Sequence, residues 1–467
     1  MRIAAVDQGT TSTRCLLVDD GGKWEIVASR KHGQHYPFKG AVEHDPNELL
    51  SNIMSVLASA GDVDAIGLAN QGESCLAWDA ATKRSLSPVI VWQDSRTAGH
   101  LAGLDDKAIQ LSKRICGLPL DPYFSGSKLG WLLREMPDIR HAHESGRLRL
   151  GTTDAFFLDV LAGKFATDLA TASRTGLLDL ATGNWSEELC ELHGVPIECL
   201  PPIGNVNGGF GRINRTPVHT SIVDQQAALF GHGCRKPGDC KITFGTGAFL
   251  LAVNGNTPPP NSDLLPTVAW SLVQGNTTYA VEGGVYDAGS AIEWARKIGL
   301  FSEMQELAAF ERPSALSRGI VFVPALSGLA APFWDRTAAP LFIGMDHTTD
   351  SQDLVQAILE GIAMLTAGLI DTASETVNLS DSISIDGGLS QSSYFTQFLA
   401  SASNRKIVVP AMHELTALGL AEFCGLNVDA TRTNHNQFDP DGSITVHDHT
   451  VFKRALSRSF DWRDQAN

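Results

Sequence analysis

The sequence predicts an α/β protein made of two similar domains, with a phosphate-binding cleft between them. Two segments half a chain apart, residues 3–19 and residues 240–252, each read as strand, tight Gly/Thr turn and strand. Such a turn can point backbone N–H groups and threonine hydroxyls into one concavity that suits phosphate oxygens. Because one such turn opens each half of the chain, we predict a duplicated domain that holds a nucleotide's phosphates between its copies.

The elements of the first half alternate between strands and helices, which is typical of α/β layers. Residues 24–29 extend the first hairpin to three strands, and Asp45 is placed to cap a helix that runs towards Ala60. A proline at the first helical position and an acidic residue in the first turn support this helix start. The apolar residues 65–69 predict a buried strand, and residues 222–224 predict a strand that ends where a helix begins.

The second half, which starts near residue 236, is predicted to repeat this design. After its hairpin we expect a strand over residues 278–281 that stops before Gly283, followed by a helix over residues 288–298. Residues 382–388 predict a strand that ends in a turn. A long helix follows Asp350, because apolar residues recur on one stripe at Leu354, Ile358, Ile362, Leu365 and Leu369.

The length of 467 residues is enough for two or three domains that each bury a core. We place one domain at residues 1–232 and the other at residues 233–467. The tail beyond about Asp429 is polar and rich in histidine, and we assign it no chemistry.

The composition excludes several classes of partner. A net charge of −16 argues against nucleic acid, because phosphate backbones attract basic surfaces. The chain enters a strand directly, without a signal-peptide pattern, and no apolar run approaches the ~18 residues of a membrane span. The eight cysteines are scattered without a Cys-x-x-Cys pair, which favours reduced, packed thiols. We therefore expect a cytoplasmic protein with no nucleic-acid or membrane partner.

Acidic residues at strand ends are the candidates for chemistry. The Walker loop is absent, and so is a Gly-x-Gly-x-x-Gly motif after the first strand, which argues against P-loop and dinucleotide-binding proteins. Asp7 ends the first strand and could hold Mg²⁺ beside phosphates, or could only shape the turn. Arg14 could reach phosphate oxygens, or could be a surface charge of its strand. Asp224 could be a general base, although on local evidence an ordinary helix-capping aspartate is the commoner case.

The chain closely resembles the FGGY family of carbohydrate kinases, and within it the glycerol kinase branch. The resemblance covers about residues 3–425, and its motifs are specific and stand in family order. They are Asp7-Gln8-Gly9-Thr10-Thr11-Ser12, Val91-Trp92-Gln93-Asp94-Ser95-Arg96-Thr97, Asp121-Pro122-Tyr123-Phe124-Ser125-Gly126-Ser127-Lys128, Ala172-Ser173-Arg174-Thr175, Asp224-Gln225-Gln226-Ala227-Ala228-Leu229-Phe230-Gly231, Phe322-Val323-Pro324-Ala325-Leu326-Ser327-Gly328-Leu329, Ala331-Pro332-Phe333-Trp334, Asp386-Gly387-Gly388 and Thr416-Ala417-Leu418-Gly419.

The resemblance implies two actin-like (RNase H-like) domains that close over ATP and substrate, and ATP-dependent phosphorylation of a terminal hydroxyl of glycerol or a related small polyol or sugar. Asp224 would be the general base, and Asp7 would position Mg²⁺. The substrate would meet Gly72, Glu73, Trp92, Tyr123, Asp224, Gln225 and Phe249. The nucleotide would meet Thr10, Thr11, Ser12, Arg14, Gly245, Thr246, Gly289, Glu293, Gly388 and Ser392. Because relatives often form dimers or tetramers, the resemblance also implies a homodimer.

Three positions depart from the glycerol kinase pattern. Glu293 stands where glutamine is usual, and Ser392 stands where asparagine usually meets adenine. Gly72 stands in place of an arginine whose fork would hold two substrate hydroxyls. Losing such a donor would remove ~1.5–3 kcal/mol of substrate binding. We therefore hypothesise that the vacated volume admits a longer polyol or a ketose, with glycerol a poor substrate.

Two alternatives of different classes remain open on the sequence. An actin-like or chaperone-like ATPase would share both phosphate-binding turns. It would not need Glu73, Trp92, Tyr123 and Asp224 to converge on one small pocket. An inactive sensor would bind the sugar without transferring phosphate, but the retention of Asp7, Thr10, Thr246 and Asp224 argues against it.

Overall fold

The computed structural model describes residues 1–260, 262–428 and 435–463. The predicted His-rich tail therefore lies partly outside the described residues, at positions 429–434 and 464–467. The strands are β1 (Arg2–Gln8), β2 (Ser12–Asp19), β3 (Trp24–Lys31), β4 (Glu43–His44), β5 (Ala65–Asn70), β6 (Cys75–Asp79), β7 (Val89–Ile90), β8 (Leu148–Thr152), β9 (Thr167–Asp168), β10 (Leu178–Asp179), β11 (Asn184–Trp185), β12 (Ile203–Gly204), β13 (Arg212–Ile213), β14 (Thr216–Val223), β15 (Cys240–Phe244), β16 (Ala248–Gly255), β17 (Leu265–Ser271), β18 (Thr277–Val285), β19 (Val321–Val323), β20 (Leu341–Ile343), β21 (Ser382–Gly387), β22 (Lys406–Pro410) and β23 (His435–Phe438).

Helices cover the faces of these strands and connect them. They are α1 (Pro46–Ala60), α2 (Ala98–Ala102), α3 (Asp106–Ile115), α4 (Ser125–Glu135), α5 (Pro137–Glu144), α6 (Thr153–Leu161), α7 (Leu169–Ala172), α8 (Glu187–His193), α9 (Asp224–Gly231), α10 (Gly289–Lys297), α11 (Ser351–Thr376), α12 (Ser393–Ser403), α13 (Leu415–Phe423) and α14 (Val446–Leu456).

The first large sheet has the strand order β13-β14-β5-β1-β2-β3. The hairpin β1–β2 is antiparallel, whereas β5 runs parallel to both β1 and β14. Asn70 at the end of β5 pairs with Gln8 on one side and with Val223 on the other. The carboxyl ends of β1, β5 and β14 therefore meet at one edge of the sheet, and the residues that follow them share that edge.

The second large sheet repeats this arrangement with the order β17-β18-β16-β15-β21-β22-β23. The hairpin β15–β16 is antiparallel, and β15 runs parallel to β21, with Phe244 paired to Gly387. The Gly245 turn and the turn after β21 consequently lie at the same edge. Both predicted hairpins and the predicted duplication are confirmed by these pairings.

The predicted helices also form where the patterns indicated. Asp45 caps α1 by accepting a hydrogen bond from the backbone of Asn47 at 2.8 Å, and Asp350 caps α11. α11 is long and apolar enough to cross a membrane, but 89% of its most apolar window is buried inside the protein, where it is the central helix of the second domain's core. α10 begins and ends within one residue of the predicted bounds.

The predicted end of the strand before Gly283 is wrong. β18 continues to Val285 and pairs with β16 through Gly283 and Gly284. A Cβ atom at Gly283 would lie 2.5 Å from Leu369 Cδ1 of α11, so the absence of a side chain there permits close packing of helix on sheet. The glycine pair therefore marks a tight contact inside the strand rather than its end.

The two halves share a helix pair beside the first sheet. α9 and α13 pack so closely that a Cβ atom at Gly419 would lie 2.0 Å from the backbone oxygen of Ala227. The core around them contains Ile3 and Ala5 of β1 together with Leu251 and Val253 of β16. This shared core joins the two sheets behind the edges that carry the phosphate-binding turns.

Candidate active site

A pocket of about 170 Å³ lies between the two edges. It contains all seven predicted substrate residues and three of the predicted phosphate residues. Its lining is Thr10, Gly72, Glu73, Trp92, Tyr123, Arg174, Val223, Asp224, Gln225, Gln226, Thr243, Gly245, Thr246, Phe249 and Glu282. Glu73, Trp92, Tyr123 and Asp224 therefore converge on one small pocket, a feature that an ATPase of the actin or chaperone type would not need.

Asp224 is the first residue of α9 and follows β14 directly. Burial, followed by the nearby carboxylates of Asp7 and Glu73, raises the pKa of its carboxyl group to about 8. Its Oδ1 accepts a hydrogen bond from the backbone N–H of Gln225 at 2.7 Å. A buried carboxylate with an elevated pKa beside a polar pocket has the proton affinity that a general base requires.

Asp7 at the end of β1 has a second buried carboxyl group in this region. Burial raises its pKa to about 6, assisted by Glu414 and opposed by Arg14. Its Oδ1 is buried without a hydrogen-bond partner in the described residues. Two half-buried carboxyl groups with raised pKa values, one with an unpartnered oxygen, fit a divalent cation bound through oxygen ligands and water.

Aromatic side chains form the apolar walls of the pocket. The rings of Trp92 and Tyr123 meet edge to face at 5.8 Å, and those of Trp92 and Phe249 at 6.3 Å. Trp92 also donates from Nε1 to the hydroxyl of Thr10 at 3.0 Å, which ties the wall to the first phosphate-binding turn. Burial raises the pKa of Tyr123 well above its usual value, so its phenol stays protonated and can donate.

Glu73 stands at the turn after β5 in an unusual backbone conformation. Its φ is 57°, in the left-handed region that few residues other than glycine adopt. Its backbone oxygen accepts a hydrogen bond from the hydroxyl of Ser125 at the start of α4, at 2.9 Å. The turn is thus held in a strained form that directs the Glu73 carboxylate to the pocket.

Gly72 has a neighbour that the sequence did not reveal. A Cβ atom at this position would lie 2.8 Å from Cγ2 of Val223, the last residue of β14. The space into which a side chain at position 72 would begin is therefore occupied. This contact counts against the hypothesis of an enlarged pocket, because a methyl group of Val223 lies where the arginine side chain would begin.

Sequence reasoning also assigned no role to three charged residues around the pocket. Arg174 and Glu282 line it, and Lys241 contacts its wall by donating from Nζ to Gln225 and, at 2.9 Å, to Thr243. Arg174 stood in a recognised motif, and Lys241 is a charged residue within an apolar strand. Either feature is a usable signal, because a charge placed among buried neighbours is retained only when it is paired.

The second Gly/Thr turn is braced by backbone contacts with α10. The N–H groups of Gly289 and Ser290 at the start of α10 donate to the backbone oxygens of Gly245 and Thr246, both at 3.0 Å. A Cβ atom at Gly289 would lie 2.4 Å from the oxygen of Gly245. Glycine is therefore required for α10 to support the second turn.

The remaining predicted nucleotide residues have partners within the protein. Arg14 forms an ion pair with Glu414 at 3.0 Å, and Glu293 pairs with Arg296 on the surface of α10. The hydroxyl of Ser392 donates to the backbone oxygen of Leu307 at 2.6 Å. Thr11 and Ser12 lie at the first Gly/Thr turn, Gly388 directly follows β21, and all three are outside the pocket lining.

Two Gly/Thr turns that face a small polar pocket with a half-buried carboxyl group are the arrangement expected of a kinase of small hydroxyl compounds. Residues 2–231 match the N-terminal domain of the FGGY family of carbohydrate kinases, and residues 240–427 match the C-terminal domain. The chain belongs to this family.

Similar proteins cover nearly the whole chain. It is 38% identical to a glycerol kinase of Nocardia farcinica over 91% of this chain and 90% of that protein. It is 35% identical to a glycerol kinase of Deinococcus radiodurans over 99% of this chain and 98% of that protein. Its structure resembles that of Plasmodium falciparum glycerol kinase with ADP, with a TM-score of 0.87, 27% identity and 98% of each chain covered.

Proposed function

We propose that this kinase transfers the γ-phosphoryl group of ATP to a terminal hydroxyl of glycerol or a closely related short polyol. The observation that carries the proposal is the placement of Asp224. Its buried carboxylate lines the same pocket as the Gly245 turn, so a hydroxyl in that pocket lies between a base and a phosphate-binding site. The similarity to glycerol kinases supports glycerol as the acceptor.

Each pocket residue has a task in this reaction. Glu73 and Gln225 bind the hydroxyls that do not react, while Trp92 and Phe249 pack against the carbon chain. Asp224 accepts the proton of the terminal hydroxyl while the oxygen of that hydroxyl bonds to the γ-phosphorus of ATP. The bond between the γ-phosphorus and the leaving oxygen of ADP breaks in the same step. Closure of the two domains over the pocket would exclude bulk water and so limit wasteful hydrolysis of ATP.

The two turns would hold the phosphates from opposite domains. Thr10 and its neighbours bind from the first domain, and Gly245 and Thr246 bind from the second. Asp7 would hold Mg²⁺, which neutralises the charge that develops on the phosphates. Closure of the domains would bring the two turns together, so the division into residues 1–232 and 233–467 is also part of the proposal. All strands of the first large sheet precede this boundary, and all strands of the second follow it.

The setting of the enzyme is proposed on separate grounds. All eight cysteines are buried, and no disulfide forms among the described residues, which supports a cytoplasmic location, since that compartment keeps thiols reduced. Assembly as a homodimer is supported by the family resemblance. Light scattering during size-exclusion chromatography would show it as a mass of about twice the 50.0 kDa of the chain.

The test is a coupled ADP-release assay with Mg-ATP and a panel of acceptors. The panel contains glycerol, a four-carbon and a five-carbon polyol, a ketopentose and gluconate. We expect glycerol to give the highest kcat/KM. A longer acceptor that exceeds glycerol would overturn the assignment of substrate, and ADP release without any acceptor would favour an ATPase.

A further inference from the structure

Arg174 links the two halves of the protein at the floor of the pocket. It follows α7, and its side chain is only 1% exposed. Its Nε donates to Oε1 of Glu73 at 2.7 Å, and its Nη2 donates to Oε1 of Glu282 at 2.8 Å. Glu73 belongs to the first domain and Glu282 to β18 of the second, so one guanidinium joins carboxylates of both.

The third nitrogen of this guanidinium, Nη1, is buried without an acceptor within hydrogen-bond distance among the described residues. The phenol of Tyr123 is the group that interacts with the guanidinium from the pocket side. An arginine is always charged, and a buried charged donor left unsatisfied costs more than the ~1–3 kcal/mol of a neutral one. Because Arg174 lines the pocket, the acceptor that completes its hydrogen bonds would have to come from a molecule bound there.

The lining formed by the described residues offers no second cationic donor. Arg174 is the one lysine or arginine in it, and its other side-chain donors are neutral. Gly72 contributes no side chain, and Val223 stands where one would begin. The other charged residues of the lining, Glu73, Asp224 and Glu282, are acidic.

We infer that Arg174 is a further substrate-binding residue, whose Nη1 donates to a non-reacting hydroxyl of a short, uncharged polyol. The inference rests on the proposed function and deepens it, because it names the group that selects this substrate class. The acidic lining disfavours a substrate that carries its own carboxylate, whereas a hydroxyl can accept from Nη1 and donate to Glu73. Tyr123, whose ring centre lies 5.9 Å from the guanidinium carbon, packs over the same group.

The test compares Arg174→Lys with Glu282→Gln. Lysine keeps a positive charge for Glu73 and Glu282 but cannot supply three fixed donors. The Glu282 variant disturbs the same ion network while leaving Nη1 in place. We expect Arg174→Lys to raise the KM for glycerol roughly tenfold or more, with the KM for ATP unchanged. Glu282→Gln should raise the KM for glycerol much less.

Acceptors that lack one hydroxyl distinguish substrate binding by Arg174 from a purely structural role, because only a binding role makes the effect of the substitution depend on that hydroxyl. Propane-1,2-diol and propane-1,3-diol each lack one hydroxyl of glycerol. If Nη1 binds one of these hydroxyls, the diol that lacks this hydroxyl should have a lower kcat/KM than glycerol with the wild-type enzyme. The same diol should lose little relative to glycerol with Arg174→Lys. The inference would be overturned if, for both diols, the loss from the substitution and the loss from the missing hydroxyl multiplied as independent effects. Equal increases in the KM for glycerol and for ATP would also overturn it.

Failure of the inference and failure of the proposed function give different results. A wild-type enzyme that phosphorylates glycerol, with a variant whose KM for glycerol is unchanged, refutes only the role of Arg174. A wild-type enzyme that neither phosphorylates any uncharged polyol nor gains thermal stability from one refutes both. If Arg174→Lys does not fold, Arg174→Gln with thermal melting in the presence and absence of glycerol replaces it. Stabilisation by glycerol equal to that of the wild type would then overturn the inference.

Discussion

Replacing Asp224 with asparagine should sharply lower turnover and stabilise the protein. The fold raises the pKa of this carboxyl group from 3.8 to about 8, chiefly by burial and then through Asp7 and Glu73. A raised pKa means that the folded protein binds the proton more tightly than the unfolded chain does. The contribution to stability is therefore fully present below about pH 4 and is lost as the pH rises towards 8.

The size of this effect follows from the pKa values. One pKa unit corresponds to ~1.4 kcal/mol, so a rise of about four units sets an upper limit of ~6 kcal/mol above pH 8. Relaxation of the protein and entry of water reduce such penalties, and we expect ~1–3 kcal/mol in practice. Asparagine has the same shape, and its Oδ1 can still accept the hydrogen bond from Gln225 that the carboxylate accepts at 2.7 Å.

Urea unfolding of the ligand-free protein between pH 5 and pH 8.5 measures the stability, and the coupled assay measures turnover. The difference in free energy of unfolding between Asp224→Asn and the wild type should grow with pH. Turnover should fall by ~10²–10⁴-fold. Turnover within tenfold of the wild type would remove Asp224 from the mechanism. A variant that is no more stable at pH 8.5 would refute the burial argument.

Glu360 of α11 provides a matched control outside the pocket. Burial raises its pKa to about 7, yet its carboxylate accepts from the backbone N–H groups of Ala315 and Leu316 at 2.9 and 2.7 Å. Glu360→Gln replaces one of these acceptor oxygens with a donor, so it should destabilise the protein without lowering kcat. Opposite changes in stability for two buried carboxylates would separate a functional group from a structural one.

Three further outcomes are expected. Gly72→Ala should raise the KM for glycerol several-fold, because its Cβ would lie 2.8 Å from Val223, and adding Val223→Ala should restore it; a double variant no better than the single one would contradict the contact. Asp7→Asn should raise the Mg²⁺ concentration for half-maximal turnover roughly tenfold or more, and an unchanged Mg²⁺ titration would exclude it as a ligand. Gly289→Ala should raise the KM for ATP, since its Cβ would lie 2.4 Å from a backbone oxygen of the second turn, whereas Gly368→Ala, with nothing within 4 Å, should not.

The sequence was most informative where local pattern and function coincide. Both Gly/Thr hairpins could be predicted because a strand–turn–strand pattern is complete within a few residues. The shared edge of β1, β5 and β14 could be anticipated because parallel strands place their carboxyl ends together. Gly283 misled the prediction of β18, because a glycine that admits a neighbouring helix looks the same in sequence as a glycine that ends a strand.

The substrate pocket could be predicted in membership but not in shape. Each residue of the pocket could be recognised from the motif in which it stands. The volume of the pocket depends instead on contacts between motifs that are far apart in the sequence. Gly72 and Val223 are separated by about 150 residues along the chain, and only the pairing of β5 with β14 brings them together. Gly72 considered alone predicts a larger pocket, but the contact with Val223 shows that the space beside its Cα is already occupied. We therefore expect the acceptor preference of this kinase to depend on Gly72 and Val223 together with the Arg174 guanidinium, and a substitution at position 72 can be interpreted only together with position 223.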